Sequence, residues 1–197
     1  MAYLQKIADA GPGSVDFFSC DLYKADKGEY DEAFAGCSAV FHVAADIGSD
    51  AATYGKITPL KMYEGIVDMT AAILESCRKT GTVKRIIYTS SVAAILGRGS
   101  PDRAADHIFN EDDWCGGTYE TLEERYTNEE GEMLWTNEKQ AYSKGKLDAE
   151  RACYAFGEKT GIDVVSICPF HIMGPLLGIP HNTTWQHRLG MALKGER

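Results

Sequence analysis

Tyr142 and Lys146 stand four residues apart in the segment YSKGKLDAER (142–151). On a helix that spacing sets both side chains on one face, a turn apart. A tyrosine hydroxyl, with a pKa near ~10, is a poor base at neutral pH. A neighbouring ammonium stabilises the phenolate and lowers that pKa. The phenol can then exchange a proton with an alcohol or carbonyl oxygen. The ammonium keeps donors for a further hydroxyl. Many unrelated helices carry Y-x-x-x-K by chance, so the context decides. Residues TSSVAA (89–94) follow the apolar run VKRIIY (83–88), which reads as a buried strand. In open parallel sheets ligands bind outside the carboxyl ends of strands. Hydroxyls at Ser90 and Ser91 are well placed for that, plain loop hydrogen bonding being the alternative.

Other segments must position these residues. Val15–Cys20 (VDFFSC) follows Gly11-Pro12-Gly13 and reads as a strand after a turn. Gly28–Gly36 carries Tyr30, Ala33 and Phe34 at helical spacing, with Gly36 as a stop. Ala39–Ala44 (AVFHVA) is strand-like. From Leu60 to Lys79, the residues Leu60, Tyr63, Val67, Thr70, Leu74 and Cys77 form one apolar stripe of a helix, with Gly81 as its cap. A second long helix spans about Glu138 to Lys159. Gly145, Ala149, Ala152, Cys153 and Phe156 line one face. Gly161 ends it, and Ile162–Cys168 is a further strand. Strands alternating with helices predict an α/β fold, a parallel sheet with right-handed crossovers.

The interval 100–139 breaks this rhythm. It is polar and acidic, with NEDDW (110–114), Gly116-Gly117 and EERYTNEEGE (123–132). It reads either as a solvated insertion or as a flap over a substrate.

The bulk numbers narrow the class. A chain of 197 residues suffices for one domain with a sizeable core. Its 44% hydrophobic and 25% charged residues are ordinary for a globular protein. A formal net charge of -9 argues against nucleic acid and anionic membranes as partners. No run approaches the ~20 apolar residues of a membrane helix. Six cysteines, at 20, 37, 77, 115, 153 and 168, show no C-x-x-C pair and no nearby histidine that would make a zinc site, so no metal is expected. They read as reduced, buried thiols in a cytoplasmic protein without a secretory leader. His42, His107, His181 and His187 read as packed or hydrogen-bonded, not as ligands.

Together these segments resemble the extended short-chain dehydrogenase/reductases of the NAD-dependent epimerase/dehydratase superfamily. The likeness is strongest to the branch of dihydroflavonol reductases, cinnamoyl-CoA reductases and 3β-hydroxysteroid dehydrogenases. Six segments match in order: DFFSCDL (16–22), AFAGCSAVFHVAA (33–45), RIIYTSSVAA (85–94), NEDDW (110–114), YSKGKLDAER (142–151) with Ala149-Glu150 after the lysine, and ICPFHIMGP (167–175). The resemblance implies a Rossmann-like doubly wound sheet over 1–175, with 176–197 opening a substrate-binding region. It implies that Ser91, with Ser90 as fallback, bonds the substrate carbonyl oxygen. Tyr142 would be the general acid or base, and Lys146 would lower its pKa and bind the nicotinamide ribose. Asp21, Leu22, Ala44 and Ala45 would border the adenosine, and Pro169, Phe170 and His171 the nicotinamide. The cofactor would be NAD or NADP, with NADP favoured. The partner would be a small-molecule alcohol or carbonyl compound, and a homodimer is left open. A nucleotide-sugar epimerase or dehydratase uses the same residue set. A non-catalytic dinucleotide sensor on the same fold is the rival from another class.

Departures from the pattern carry their own expectations. The 20 glycines include no G-x-x-G-x-x-G after an early strand, the turn that cradles a pyrophosphate. The resemblance therefore implies an incomplete sheet without its first strand–helix–strand unit. In the order 3-2-1-4-5-6, Val15–Cys20 would lose its neighbour and Ala39–Ala44 would become an open apolar edge. Weak stability and poor dinucleotide binding by the isolated chain follow. A helix Asn of the family's proton relay falls near Ile66 here, and a Ser or Thr common before the lysine is Gly145.

Overall fold

The computed structural model describes residues 2–45, 58–96, 106–115, 138–172 and 185–195. In chain order these form α1 (Ala2–Asp9), a 3-10 helix (Leu22–Lys27), α2 (Asp31–Phe34), β1 (Ala39–His42), α3 (Pro59–Thr80), β2 (Arg85–Thr89), α4 (Ala93–Leu96), α5 (Glu138–Thr160), β3 (Asp163–Ile167) and α6 (Trp185–Leu193). They fall into two units, Met1–Ser19 with His171–Arg197, and Cys20–Phe170. The first holds α1 and α6; the second holds the sheet.

The two long helices form where the periodicity predicts them. Thr58 starts α3 by accepting the Lys61 N–H at 3.3 Å, and Pro59 takes the first turn, where no N–H is needed. Gly81 and Gly161 end α3 and α5 with φ of 67° and 75°, a left-handed conformation that costs a side chain dearly. Each glycine turns the chain directly into the next strand.

The strands make a parallel sheet in the order β1-β2-β3. This is the Rossmann-like α/β arrangement the sequence predicts, with three strands among the described residues. Alternation along the strands gives the sheet two unlike faces. Val40, Ile86 and Tyr88 are buried with Met62, Ile73 and Cys77 of α3 and Cys153 of α5. Burying an Ile such as Ile73 or Ile86 stabilises by roughly 1.5–3 kcal/mol each. On the opposite face Phe41, Ile87 and Val165 stand in one register row. Phe41 is 70% exposed and Val165 41%.

Two expectations need correction. Val15–Cys20 is not a strand. An apolar run becomes one only by pairing, and among the described residues no strand lies beside it. The buried stripe of α3 agrees with the predicted one in its second half, where Thr70, Leu74 and Cys77 are buried. It departs from it in the first, where Met62, Ile66 and Met69 are buried while Leu60 is 47% exposed and Tyr63 and Val67 are half-buried. The helix is apolar over a wide arc, and contact with both the sheet and α5 selects the arc's centre. Of the interval 100–139, only 106–115 and the start of α5 lie within the described residues.

Candidate active site

The register fixes where the chemistry gathers. Tyr88 pairs with His42 on one side and Ser166 on the other, so the three strands end level. Ala44 and Ala45 leave β1, Ser90 and Ser91 leave β2, and Pro169 and Phe170 leave β3, all at the carboxyl edge. Two backbone bonds tie the last pair of exits together. The Ser90 N–H donates to the Ile167 carbonyl at 2.9 Å, and the Val92 N–H to the Pro169 carbonyl at 3.0 Å. Ser91 is nearly buried, and its Oγ accepts the Ala93 N–H at 3.2 Å as α4 begins.

Helix α5 brings the basic partner to this edge. Lys146 is 3% exposed, and its Nζ donates to the Thr89 carbonyl at 2.9 Å. That carbonyl lies two residues before Ser91. The same Nζ is 5.2 Å from the Tyr88 ring centre and 6.0 Å from the Tyr142 ring centre. Burial pushes the ammonium down to about 8, against the opposing pull of Cys153, Glu150 and Cys168. Tyr142 is half-buried and packs against the main core. Lys146 thus reaches the end of β2, two residues before Ser91, with the Tyr142 ring 6.0 Å from its ammonium.

Not every anticipated residue joins them. Asp21 opens the 3-10 helix, its carboxylate accepting the Tyr23 N–H at 3.0 Å and its own N–H donating to Glu29 at 2.9 Å. Leu22 packs on the core and lines a cleft of about 600 Å³ against α3. Among the described residues no hydrogen bond links Asp21 or Leu22 to the Ser91–Lys146 group. Phe170 is exposed. His171 belongs to the other unit, where it is half-buried.

Sequence reasoning passed over several contributors. Glu150 is 6% exposed and accepts the Ser90 hydroxyl at 2.5 Å. Its position four residues after Lys146 puts it on the same helix face, a signal present in the sequence. His42 is packed and hydrogen-bonded, as its position implied. Its Nε2 meets Thr70 Oγ1 at 3.1 Å and its ring lies 5.4 Å from that of Tyr88. Burial, with the Lys146 charge adding to it, pushes His42 down to about 4. The Thr70 hydroxyl thus meets His42, and the Tyr88 hydroxyl is buried with no partner at bonding distance among the described residues.

The acidic segment before the chain enters 116–137 has an evident structural role. Asp113 takes His107 Nε2 at 3.0 Å and the Asn110 N–H at 2.8 Å. The Cys115 N–H donates to the Ala94 carbonyl at 2.7 Å. The Arg151 guanidinium lies 4.9 Å over Trp114, a cation–π contact with α5. Trp114, Phe109, Glu150 and Tyr154 line a cavity of about 300 Å³ beside the carboxyl edge.

Comparison with known proteins agrees with this geometry. Residues 4–193 match the model of the NAD dependent epimerase/dehydratase family. The chain is 32% identical to dihydroflavonol 4-reductase of Hordeum vulgare over 86% of its own length and 43% of that protein's. It spans less than half the length of the curated relatives it matches. Vestitone reductase from alfalfa (Medicago sativa) superposes with a TM-score of 0.53 at 29% identity, over 80% of this chain and 42% of that one. The yeast methylglyoxal/isovaleraldehyde reductase solved with NADPH superposes with a TM-score of 0.63 at 23% identity, over 90% and 49% of the two chains. At that identity the yeast enzyme speaks for the fold alone.

Proposed function

The chain belongs to the NAD dependent epimerase/dehydratase family, and from that membership we propose that it serves an oxidoreductase acting on a secondary alcohol, ketone or related carbonyl. The observation that carries this reading is the seat of Lys146. A buried ammonium reaches the carboxyl end of β2 between Tyr142 and the turn bearing Ser91.

The residues at this edge suit the ribose and nicotinamide parts of a dinucleotide, whereas the sequence carries no G-x-x-G-x-x-G turn to cradle its pyrophosphate. Lys146 spends one donor on Thr89 and keeps others for a ribose hydroxyl. Ala44 and Ala45, at the exit of β1, have side chains small enough for close approach beside an adenosine. Asp21 and Leu22 are proposed to border the same end, and Pro169 and Phe170 the nicotinamide end. NAD(P), with NADP favoured, would when bound supply or take the hydride.

The chain's own residues handle the oxygen and its proton. Ser91 donates to the carbonyl oxygen and orients it. Tyr142 gives that oxygen a proton in reduction and takes it back in oxidation. The Lys146 ammonium, 6.0 Å from the Tyr142 ring centre, places a positive charge beside that ring. A small-molecule partner suits this arrangement. No described helix is long and apolar enough to cross a membrane. All six cysteines are free thiols, which supports a cytoplasmic setting.

The test is carbonyl reduction by the protein carrying this chain, followed by loss of NADPH absorbance. Tyr142→Phe is expected to cut turnover by ~10²-fold or more. Unchanged turnover would sink the assignment. The family description supports a second reading, nucleotide-sugar epimerisation by the same residues. Sugar epimers interconverting without net NADPH loss would favour it.

A further inference from the structure

We infer that Glu150 is a positioning residue, a buried clamp holding the turn that carries Ser91 to the helix that carries Tyr142 and Lys146. The inference rests on the reading of those three residues given above. Glu150 stands where three elements meet. Its Oε2 accepts the Ser90 hydroxyl at 2.5 Å, a charge-assisted bond across 60 residues of chain. The Cys168 thiol, just after β3, reaches the same carboxylate at 3.7 and 3.9 Å. The helix supplies the third tie, since Glu150 follows Lys146 by one turn of α5.

A hydroxyl alone does not explain a carboxylate here. Burying a carboxylate costs several kcal/mol unless charge and hydrogen bonds compensate it, and a neutral amide could accept from Ser90 without that cost. Lys146 supplies the reason for the charge. The ammonium is buried against the Tyr88 and Tyr142 rings and the Thr89 carbonyl, with Cys153, Glu150 and Cys168 pulling its pKa up and its own charge acting on His42. Burial pushes the Cys153 thiol up to about 12 and raises the Cys168 thiol too, so neither supplies a charge at neutral pH, and Glu150 is the acidic side chain among the three. The clamp therefore acts twice. It fixes the Ser90–Ser91 turn, and it keeps the lysine protonated against its burial.

The test uses the full chain with isotope-labelled lysine, without cofactor or substrate. The Lys146 signal is identified by its loss in Lys146→Arg. In the unaltered chain its titration midpoint is expected near 8. Glu150→Gln should lower that midpoint by about one pH unit or more, the scale of a charge one helical turn away. Glu150→Asp keeps the charge but shortens the reach. It should hold the midpoint while speeding hydrogen exchange at the Val92 amide, which rests on Pro169. Ser90→Ala should do the same, by about tenfold, as expected for losing a charged hydrogen bond. An unmoved midpoint in Glu150→Gln, or unmoved Val92 exchange in a folded Ser90→Ala, overturns the clamp. If Glu150→Gln does not fold, Ser90→Ala and Glu150→Asp decide by the same exchange readout. Neither measurement depends on turnover. A protein that reduces no carbonyl would refute the functional reading and leave the clamp standing.

Discussion

Ile66 of α3 fills the space that a side chain at position 145 of α5 would need. A Cβ added at Gly145 would meet Ile66 Cδ1 at 3.1 Å and Ile66 Cβ at 3.3 Å. The two positions where this chain departs from its family's pattern near Lys146 are thus one contact. A small residue on α5 and a branched one on α3 fit each other.

That contact predicts a reversal of sign. In a helix interior Gly→Ala gains up to ~1 kcal/mol in propensity. Overpacking a core costs roughly 1–3 kcal/mol. Gly145→Ala should therefore be neutral to destabilising in the unaltered chain. In the Ile66→Ala background the obstruction is gone, and the same change should stabilise. Urea unfolding of the four proteins measures the coupling, expected to exceed about 0.5 kcal/mol. Equal effects in both backgrounds would show that the helices are not in contact here.

His42 predicts acid sensitivity. It is neutral when folded, with burial holding it down to about 4, while the unfolded chain protonates it near ~6.5. Between those values the unfolded state binds more protons, so stability drops as pH falls from 6.5 toward 4. The loss amounts to about 3 kcal/mol, taken from the size of the shift. Carboxylates contribute alike to a His42→Gln variant and cancel in the comparison. The stability difference between the two proteins, followed from pH 7 to 4, should change by about that amount. Parallel curves would mean that His42 is accessible to protons in the folded chain.

Lys146 predicts an alkaline limb in activity. Its ammonium is held down to about 8 by burial. Carbonyl reduction that needs this charge should decline as pH rises through that value. The limb belongs in kcat/KM, which reports the free protein. Lys146→Arg keeps its charge throughout, so whatever rate it retains should lose the limb. A limb unchanged in that variant would assign it to another group.

Phe41 predicts self-association. It lies on the edge strand β1, in the exposed row with Ile87 and Val165. A charged residue there blocks edge pairing. Phe41→Lys should lower association seen by light scattering, with stability changed by no more than about 0.5 kcal/mol, as for other surface positions. Undiminished scattering would place the sticky surface elsewhere.

What the sequence disclosed, and what it hid, divides by distance along the chain. The ends of α3 were legible because Pro59 and Gly81 act within a turn of themselves. Tyr142 and Lys146 were legible because a helix fixes neighbours four apart. The face that the first half of α3 buries was not, since Leu60 and Met62 are both apolar and only the sheet and α5 choose between them. The fate of Val15–Cys20 depends on a partner strand, which no local pattern encodes. Glu150 shows both sides. Its place on the Lys146 face could be read directly, but its bond to Ser90 depends on how β2 and α5 meet in space.

Gly81 and Gly161 sit at the edge of the sheet opposite to Ser91 and Lys146. The two edges therefore tolerate change unequally. At the glycine edge the turns are short and conformationally committed, and a side chain there distorts the entry of a strand. At the other edge, the segments leaving β1, β2 and β3 can lengthen at a cost of only ~0.6 kcal/mol per doubling. The strand exits can thus vary in length while the strand entries stay unaltered. Grafting loops onto this fold is best attempted at this edge.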